Sequence, residues 1–368
     1  MSWYLSFLFI YIVIYLLYAL VLLIVSQRHN QLPEIIPNNA LPTISILVAA
    51  KNEAHNIVRC LEALSMLDYP TELYEVLIGN DGSTDNTATL VQQFIVHKTN
   101  FKLIQITEKL GKADAKANVL AHLALQAKGD FFFITDADIA VQPLWAKTLL
   151  AYLNPDTGIV SGSTAIAGNS LFSRFQNMEW MYAFGMIATA KKLSIPVTAV
   201  GNNMVISRVS YLSTGGYENL NFSITEDFEL FRATLQKSWK YNNVTHPHCI
   251  AYSMPAKNLN QLLKQRKRWM HGAIDVPKSL GIFLAMQAVY IPIVVMGFFV
   301  APLFTLVFAN LKMGLQYIFI SQTLKKAALR IPSISFYILF ECYSGIISIL
   351  TIVYYLLPSK VEWKGRKY

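Results

Sequence analysis

The sequence predicts an α/β domain on a mostly parallel, doubly wound sheet, with membrane-crossing helices before and after it along the chain. Three observations predict this. Long uncharged apolar stretches sit near both ends, strands and helices alternate between them, and acidic residues recur where those strands stop. Hydrophobic residues make up 54% of the 368 and charged residues 14%, against about 25% charged in an ordinary soluble protein. That balance excludes disordered and collagen-like chains. Residues 1–256 carry 17 Lys/Arg and 19 Asp/Glu, whereas residues 257–368 carry 14 and 3. Cations packed between apolar stretches suit membrane flanks and phosphate, and no nucleic-acid partner is expected.

From Trp3 to Val25 no charge occurs, a length of roughly 35 Å as helix, enough for a hydrocarbon core of about 30 Å. Residues 1–26 are therefore a transmembrane helix. The first cation after it is Arg28, which by the positive-inside rule puts the following domain in the cytoplasm. Pro33, Pro37 and Pro42 stiffen a linker over 27–42.

A domain over 43–257 follows. Ile44–Ala50 is an apolar run that fits a strand buried on both faces, and Asn56–Met66 reads as a helix. Val76–Gly79 is a second strand, ending in a turn at Asn80–Ser83, with Asp85 near the start of the next helix. Lys102–Ile106, Ala113–Ala127 and Asp130–Thr135 continue as strand, helix and strand. Such sheets bind ligands at the carboxyl ends of their strands, where Asn52, Glu53, Asp81, Asp136 and Asp138 all fall. No GxGxxG follows the first strand, which argues against a dinucleotide-binding enzyme.

Residues 258–279 form a basic amphipathic stretch, and 280–357 supply two or three further spans. Ser279–Asn310 is either one tilted span or a hairpin continuing to Leu324, and Ser333–Leu357 is another span. Residues 358–368 are a basic tail. Cys60, Cys249 and Cys342 are widely spaced with no CxxC pair, so neither a disulfide framework nor a structural zinc site is expected. Phe172–Leu193 reads either as an interfacial amphipathic helix or as a buried one. His246 and His248, expected on a short strand, read as plain structural residues, or one of them completes the site at Asp138.

Asp136-Ala137-Asp138 offers two hard oxygen donors one residue apart, suited to Mg²⁺ or Mn²⁺ already held by a diphosphate; alternatively the pair caps a turn. Thr225-Glu226-Asp227 precedes a helix, where Thr225 suits an N-cap and a carboxylate suits a general base. Gln265-Arg266-Lys267-Arg268-Trp269 suits either a membrane-interface helix or a cationic clamp for a diphosphate beside an aromatic platform.

AAKNE (49–53), NDGSTD (80–85), DAD (136–138), TED (225–227) and QRKRW (265–269) occur in this order over roughly residues 43–272. With them the chain resembles the membrane-bound family-2 nucleotide-sugar glycosyltransferases, which include hyaluronan, chitin and cellulose synthases and ceramide glucosyltransferase. The resemblance implies a GT-A fold and inverting transfer from a UDP-sugar to a lipid or growing glycan at the cytoplasmic membrane face. It implies Asn52, Glu53, Asp81 and Lys112 around the nucleotide sugar, and Asp138 with Asp136 on the metal. Asp227 is then the base and Glu226 shapes the site. Gln265, Arg268 and Trp269, with Arg266 in support, close over the diphosphate and acceptor end, and Gly201–Asn203 with Gly215-Gly216 form acceptor-side turns. A polyprenyl-phosphate glycosyltransferase fits QRKRW less well, and a non-catalytic scaffold fits the intact carboxylates less well.

Overall fold

The computed structural model describes residues 2–28, 34, 36–273, 277–360, 362–363 and 366–367. Pro33 and the junction at 274–276 lie outside the described residues. In chain order the elements are α1 (Ser2–Gln27), β1 (Ile44–Ala50), α2 (Ile57–Ser65), β2 (Tyr74–Asn80), α3 (Thr87–Ile95), β3 (Phe101–Gln105) and α4 (Ala115–Gln126). Then come β4 (Phe131–Asp136), β5 (Ile139–Ala140), α5 (Trp145–Ala151), β6 (Thr157–Gly162), β7 (Thr164–Ile166), α6 (Leu171–Lys192), β8 (Asn203–Ser207), α7 (Arg208–Ser213) and α8 (Glu226–Gln236). The chain continues through β9 (Lys240–Val244), β10 (Ala251–Ser253), α9 (Leu259–Ala273), α10 (Lys278–Val300), α11 (Pro302–Lys326) and α12 (Ile334–Leu356).

These elements form two compact units. One comprises Gln31–Gly168, Thr198–Pro255 and Glu362–Tyr368, the other Met1–Asn30, Asn169–Val197 and Ala256–Val361. The first unit holds a seven-stranded sheet of order β3-β2-β1-β4-β8-β6-β9 and a small sheet of order β5-β10-β7. Strands β1 to β4 run parallel, β8 is antiparallel to β4 and β6, and β6 and β9 are parallel. The expected doubly wound core is therefore present, with β8 turning the far half into a mixed sheet.

Strand β1 shows why its run is so apolar. Successive residues of a strand face opposite ways, and here both faces are covered. Ile46 and Val48 join Ile78, Phe133 and Trp145 in one core, whereas Leu47 joins Leu77, Leu120 and Ile134 in another. At Gly79 a Cβ would lie 2.3 Å from Cγ1 of Val119, so glycine permits α4 to press onto β2.

In the second unit α1, α10, α11 and α12 are long and apolar enough to cross a membrane by length and composition. The stretch over 279–310 is a helix pair rather than one tilted span. It breaks at Ala301 (φ −149°, ψ 71°), because Pro302 opens α11 and denies its predecessor the helical conformation. Lys312 on α11 ion-pairs with Glu341 on α12 and stands 4.5 Å from the Tyr290 ring centroid of α10. Lys312 and Glu341, charges in the middle of apolar helices, thus partner each other, as a nonpolar environment requires. Helix α6 resolves in favour of burial, with Phe175, Trp180, Met181 and Phe184 inside the unit. Gly185 lets Thr323 and Phe319 of α11 approach, since a Cβ there would meet them at 2.4 and 2.9 Å.

Candidate active site

The carboxyl ends of β1 and β2 are laced into one loop cluster. Lys51 donates to the Asp81 carbonyl at 2.7 Å and lies 3.6 Å from its carboxylate. Asn52 takes a left-handed conformation (φ 53°), which asparagine tolerates better than most residues. Its amide donates to Ser83 Oγ at 3.0 Å, and its side-chain oxygen accepts from the Thr84 amide at 2.8 Å. The amides of Glu53 and Ala54 bond Thr87 Oγ1 (2.8 Å) and Asp85 Oδ2 (3.1 Å). Slight burial opposes the Asp85 charge, but the Thr87 hydroxyl and the amides of Ala54 and Thr87 outweigh it and hold the carboxyl below its usual range. The sequence-expected Asn52, Glu53 and Asp81 therefore do meet, and the NDGSTD turn shapes the AAKNE loop.

A second cluster forms where β4 ends and α8 begins. Lys116, in the first turn of α4, places Nζ 2.6 Å from Asp136 Oδ1 and 2.8 Å from Glu226 Oε1. Burial works against the Lys116 charge, but Asp136, then Glu226 and Asp227, overcome that cost and raise its pKa above the ordinary lysine value. Asp227 Oδ2 accepts from the Gly201 amide at 2.8 Å, and Oδ1 from the Phe228 amide at 2.9 Å. Burial first, then the Glu226 charge, pushes the Asp227 carboxyl up to about 6, against the opposing effects of Lys116 and the two amides. Gly201 is required here, because a Cβ would lie 2.7 Å from Asp227 Cβ. The hydroxyl of Tyr217 is buried with no partner, and Tyr217 lines a small cavity with Ala113, Phe222, Glu226 and Glu229.

Between Asp136 and Asp138 the backbone is pinned from below. The Arg59 guanidinium bonds the Asp138 carbonyl and, at 3.1 Å, the Tyr252 carbonyl. Thr135 Oγ1 donates to the Asn202 carbonyl at 2.9 Å. Asn203 is fully buried, donating to the carbonyls of Ser163 and Cys249 at 2.9 Å each and accepting from Trp145 Nε1 at 2.7 Å. It is thus a structural brace of the expected acceptor-side turn. Gly215 and Gly216 take φ of 87° and 68°, so that turn needs glycine.

Several sequence expectations are revised. Lys112 is exposed and engages Glu218 through its backbone amide; Lys116, four residues on, is the lysine at the carboxylates. Its only sequence signal was a lone cation in the alanine-rich start of α4. Thr225 occupies the N-cap of α8 without a side-chain cap; its hydroxyl lies 3.2 Å from that of Ser223 instead. Residues Pro247–Cys249 form a 3₁₀ turn rather than a strand. The rings of His246 and His248 lie 5.3 Å apart, and among the described residues no three His, Cys, Asp or Glu gather as a metal cage.

QRKRW lies on α9 in the other unit. Arg266 bonds Glu179 Oε2 at 2.8 Å, which also accepts from the Tyr343 hydroxyl at 3.2 Å. The Arg266 guanidinium stands 4.6 Å from the Trp269 ring centroid, and Trp269 meets Trp180 at 5.3 Å. Lys267 is buried and donates to the Leu357 carbonyl and Ser359 Oγ at 2.8 Å each, supplying donors at the end of α12. The Gln265 side-chain oxygen is buried with no partner. Part of this motif therefore holds helices together.

A family model described as glycosyl transferase family 21 matches residues 7–368, and the chain belongs to that family. It is a nucleotide-sugar glycosyltransferase of the family-2 type, an enzyme with apolar helices of membrane-spanning length. Poly-beta-1,6-N-acetyl-D-glucosamine synthase of Staphylococcus epidermidis is 26% identical over 325 residues, covering 82% of this chain and 73% of that protein. The synthase of the same name from Staphylococcus aureus (strain COL) is 29% identical over 245 residues, covering 64% and 56%; this chain thus matches little more than half of that relative's length. The solved mannosyltransferase PcManGT from Pyrobaculum calidifontis, in complex with GDP-Man and Mn2+, has 16% identity, covers 96% of this chain and 97% of its own, and gives a TM-score of 0.56. That likeness shows the GT-A-like fold.

Proposed function

We propose that the chain transfers a sugar from a UDP-sugar to a hydroxyl of a glycan or lipid acceptor at the cytoplasmic membrane face, with inversion and with a divalent cation. The observation that carries this reading is the Lys116–Asp136–Glu226–Asp227 cluster, in which burial and the Glu226 charge raise the Asp227 carboxyl to about 6. A carboxylate tuned toward neutrality can take the proton of an attacking hydroxyl and hold it. The Gly201 and Phe228 amides fix its orientation. Lys116 engages Glu226 Oε1 and one oxygen of Asp136, Oδ1, which leaves Asp227 as the carboxylate for proton transfer and favours a single displacement.

Asp136 and Asp138 supply hard oxygens suited to Mg²⁺ or Mn²⁺. With no three-residue cage among the described residues, phosphate and water would complete the coordination. When bound, the ion neutralises charge on the departing diphosphate. The Mn2+ and GDP-Man of the mannosyltransferase complex support this part. Asp81, with Asn52 and Glu53, faces the nucleotide in this reading, and Gln265, Arg266, Arg268 and Trp269 are the residues assigned to the diphosphate and acceptor.

The relatives' names make UDP-N-acetylglucosamine the first donor to try. Detergent-purified protein is incubated with UDP- and GDP-sugars, and nucleotide release and extracted products are measured. Release from a UDP-sugar, lost in Asp227→Asn, is expected. Release from none of the panel, or equal release by the variant, would refute the assignment.

A further inference from the structure

The C-terminal ends of α1, α6 and α11 meet at a knot of positive charge that the glycosyl-transfer reading does not use. Lys192 Nζ donates to the Ser26 carbonyl at 3.1 Å and also to the Arg28 carbonyl, and Lys326 Nζ donates to the same Ser26 carbonyl. Two ammonium groups from different helices thus converge on one oxygen, with Arg28 beside them. Lys191 and Lys325 add charge in the last turns of α6 and α11. The floor is polar and buried, where Ser26 Oγ bonds the Leu23 carbonyl at 2.7 Å and lies 2.8 Å from Gln322 Oε1.

Among the described residues no carboxylate pairs with Arg28, Lys192 or Lys326. Burial first, then the like charges of Lys326 and Arg28, lowers the Lys192 pKa to about 8. Capping explains part of the arrangement, since cations suit helix C-termini. Three helix ends together carry only about one and a half negative charges, however, which falls short of neutralising Arg28, Lys192 and Lys326. Because α1 and α11 are apolar helices of spanning length, their charged ends belong at headgroup depth, where lipid phosphates are the abundant anions.

We propose that the ends of α1, α6 and α11 form a binding site for the phosphate of an anionic membrane lipid, held by Lys192, Lys326 and Arg28. A lipid phosphate offers several acceptor oxygens to these donors while its acyl chains lie along α1 and α11.

The test uses the full chain in phosphatidylcholine nanodiscs doped with phosphatidylglycerol, with retained lipid counted by native mass spectrometry. Lys192→Gln/Lys326→Gln should weaken phosphatidylglycerol retention roughly 25-fold and Lys192→Gln alone roughly 5-fold, at about tenfold in affinity per 1.4 kcal/mol. Lys192→Arg/Lys326→Arg should keep it, and Lys237→Gln, on the other unit, should not change it. If the double variant does not fold, the single variant carries the comparison. Added inorganic phosphate should fail to displace the lipid; displacement at comparable concentration would make this a site for free anions and overturn the lipid assignment. Equal retention by the parent and the neutral variants would overturn the site.

Discussion

Lys116 and Glu226 lie 2.8 Å apart, which joins the start of α4 to the start of α8 through one half-buried ion pair. Asp136 shares the same ammonium at 2.6 Å. Lys116→Met removes the positive charge that, among the described residues, pairs with both carboxylates and should cost about 1–3 kcal/mol of stability, because it strands two partly buried charges. Thermal melts in detergent and turnover should both fall. A variant that melts and turns over like the parent would show that the carboxylates do not depend on Lys116.

Asp227 must be deprotonated to accept a proton, so with its carboxyl near 6 kcat/KM should rise as pH increases through about 6. Stability should move the other way. A raised acid binds its proton more tightly folded than unfolded, so its share of stability is full below the unfolded value of about 3.9 and is lost as pH rises through the folded one. Asp227→Asn should therefore melt above the parent at pH 8, with the gap closing in acid. A pH-independent gap would place the raised carboxyl elsewhere.

Gly201→Ala tests the same base by geometry. The added methyl would sit 2.7 Å from Asp227 Cβ and 2.8 Å from Oδ2, so the carboxylate must move. A misplacement of about 1 Å can cost roughly 100-fold in turnover. Nucleotide binding should change little, and retained turnover would show that the position of Asp227 is not critical.

Removing divalent cations should stop turnover and release UDP, and Asp138→Ala should abolish the Mn²⁺-dependent part of UDP binding measured by calorimetry. Identical UDP affinity with and without Mn²⁺ in the parent would remove the metal role of the DxD pair.

Lys267→Met takes donors from the carbonyl and hydroxyl oxygens at the end of α12. A lower melting temperature is expected, from acceptors left unmet at about 1–3 kcal/mol each. An unchanged melt would mean that α9 and α12 hold together without it.

The strands were legible because both faces of β1, β2 and β4 are covered, which forces nearly continuous apolar runs. The acidic motifs were legible because short polar segments interrupt those runs where the sheet opens. Lys116 was not, since a lysine opening an alanine-rich helix looks solvent-facing until α8 is brought against it. The break at Ala301 was equally ambiguous, as a proline inside an apolar stretch can kink a helix, as at Pro292 within α10, or start a new one, as at Pro302. Nor does composition distinguish the cations of QRKRW that brace helices, Arg266 and Lys267, from one aimed at a ligand; their partners Glu179 and the end of α12 are about 90 residues away.

Three acid groups around one ammonium leave the Asp136, Glu226 and Asp227 cluster electronegative once Asp227 has lost its proton. A bare pyrophosphate would meet repulsion there. Sugar nucleotide and counter-ion should consequently enter as a single complex, and initial-rate kinetics should obey the concentration of that complex rather than of either component.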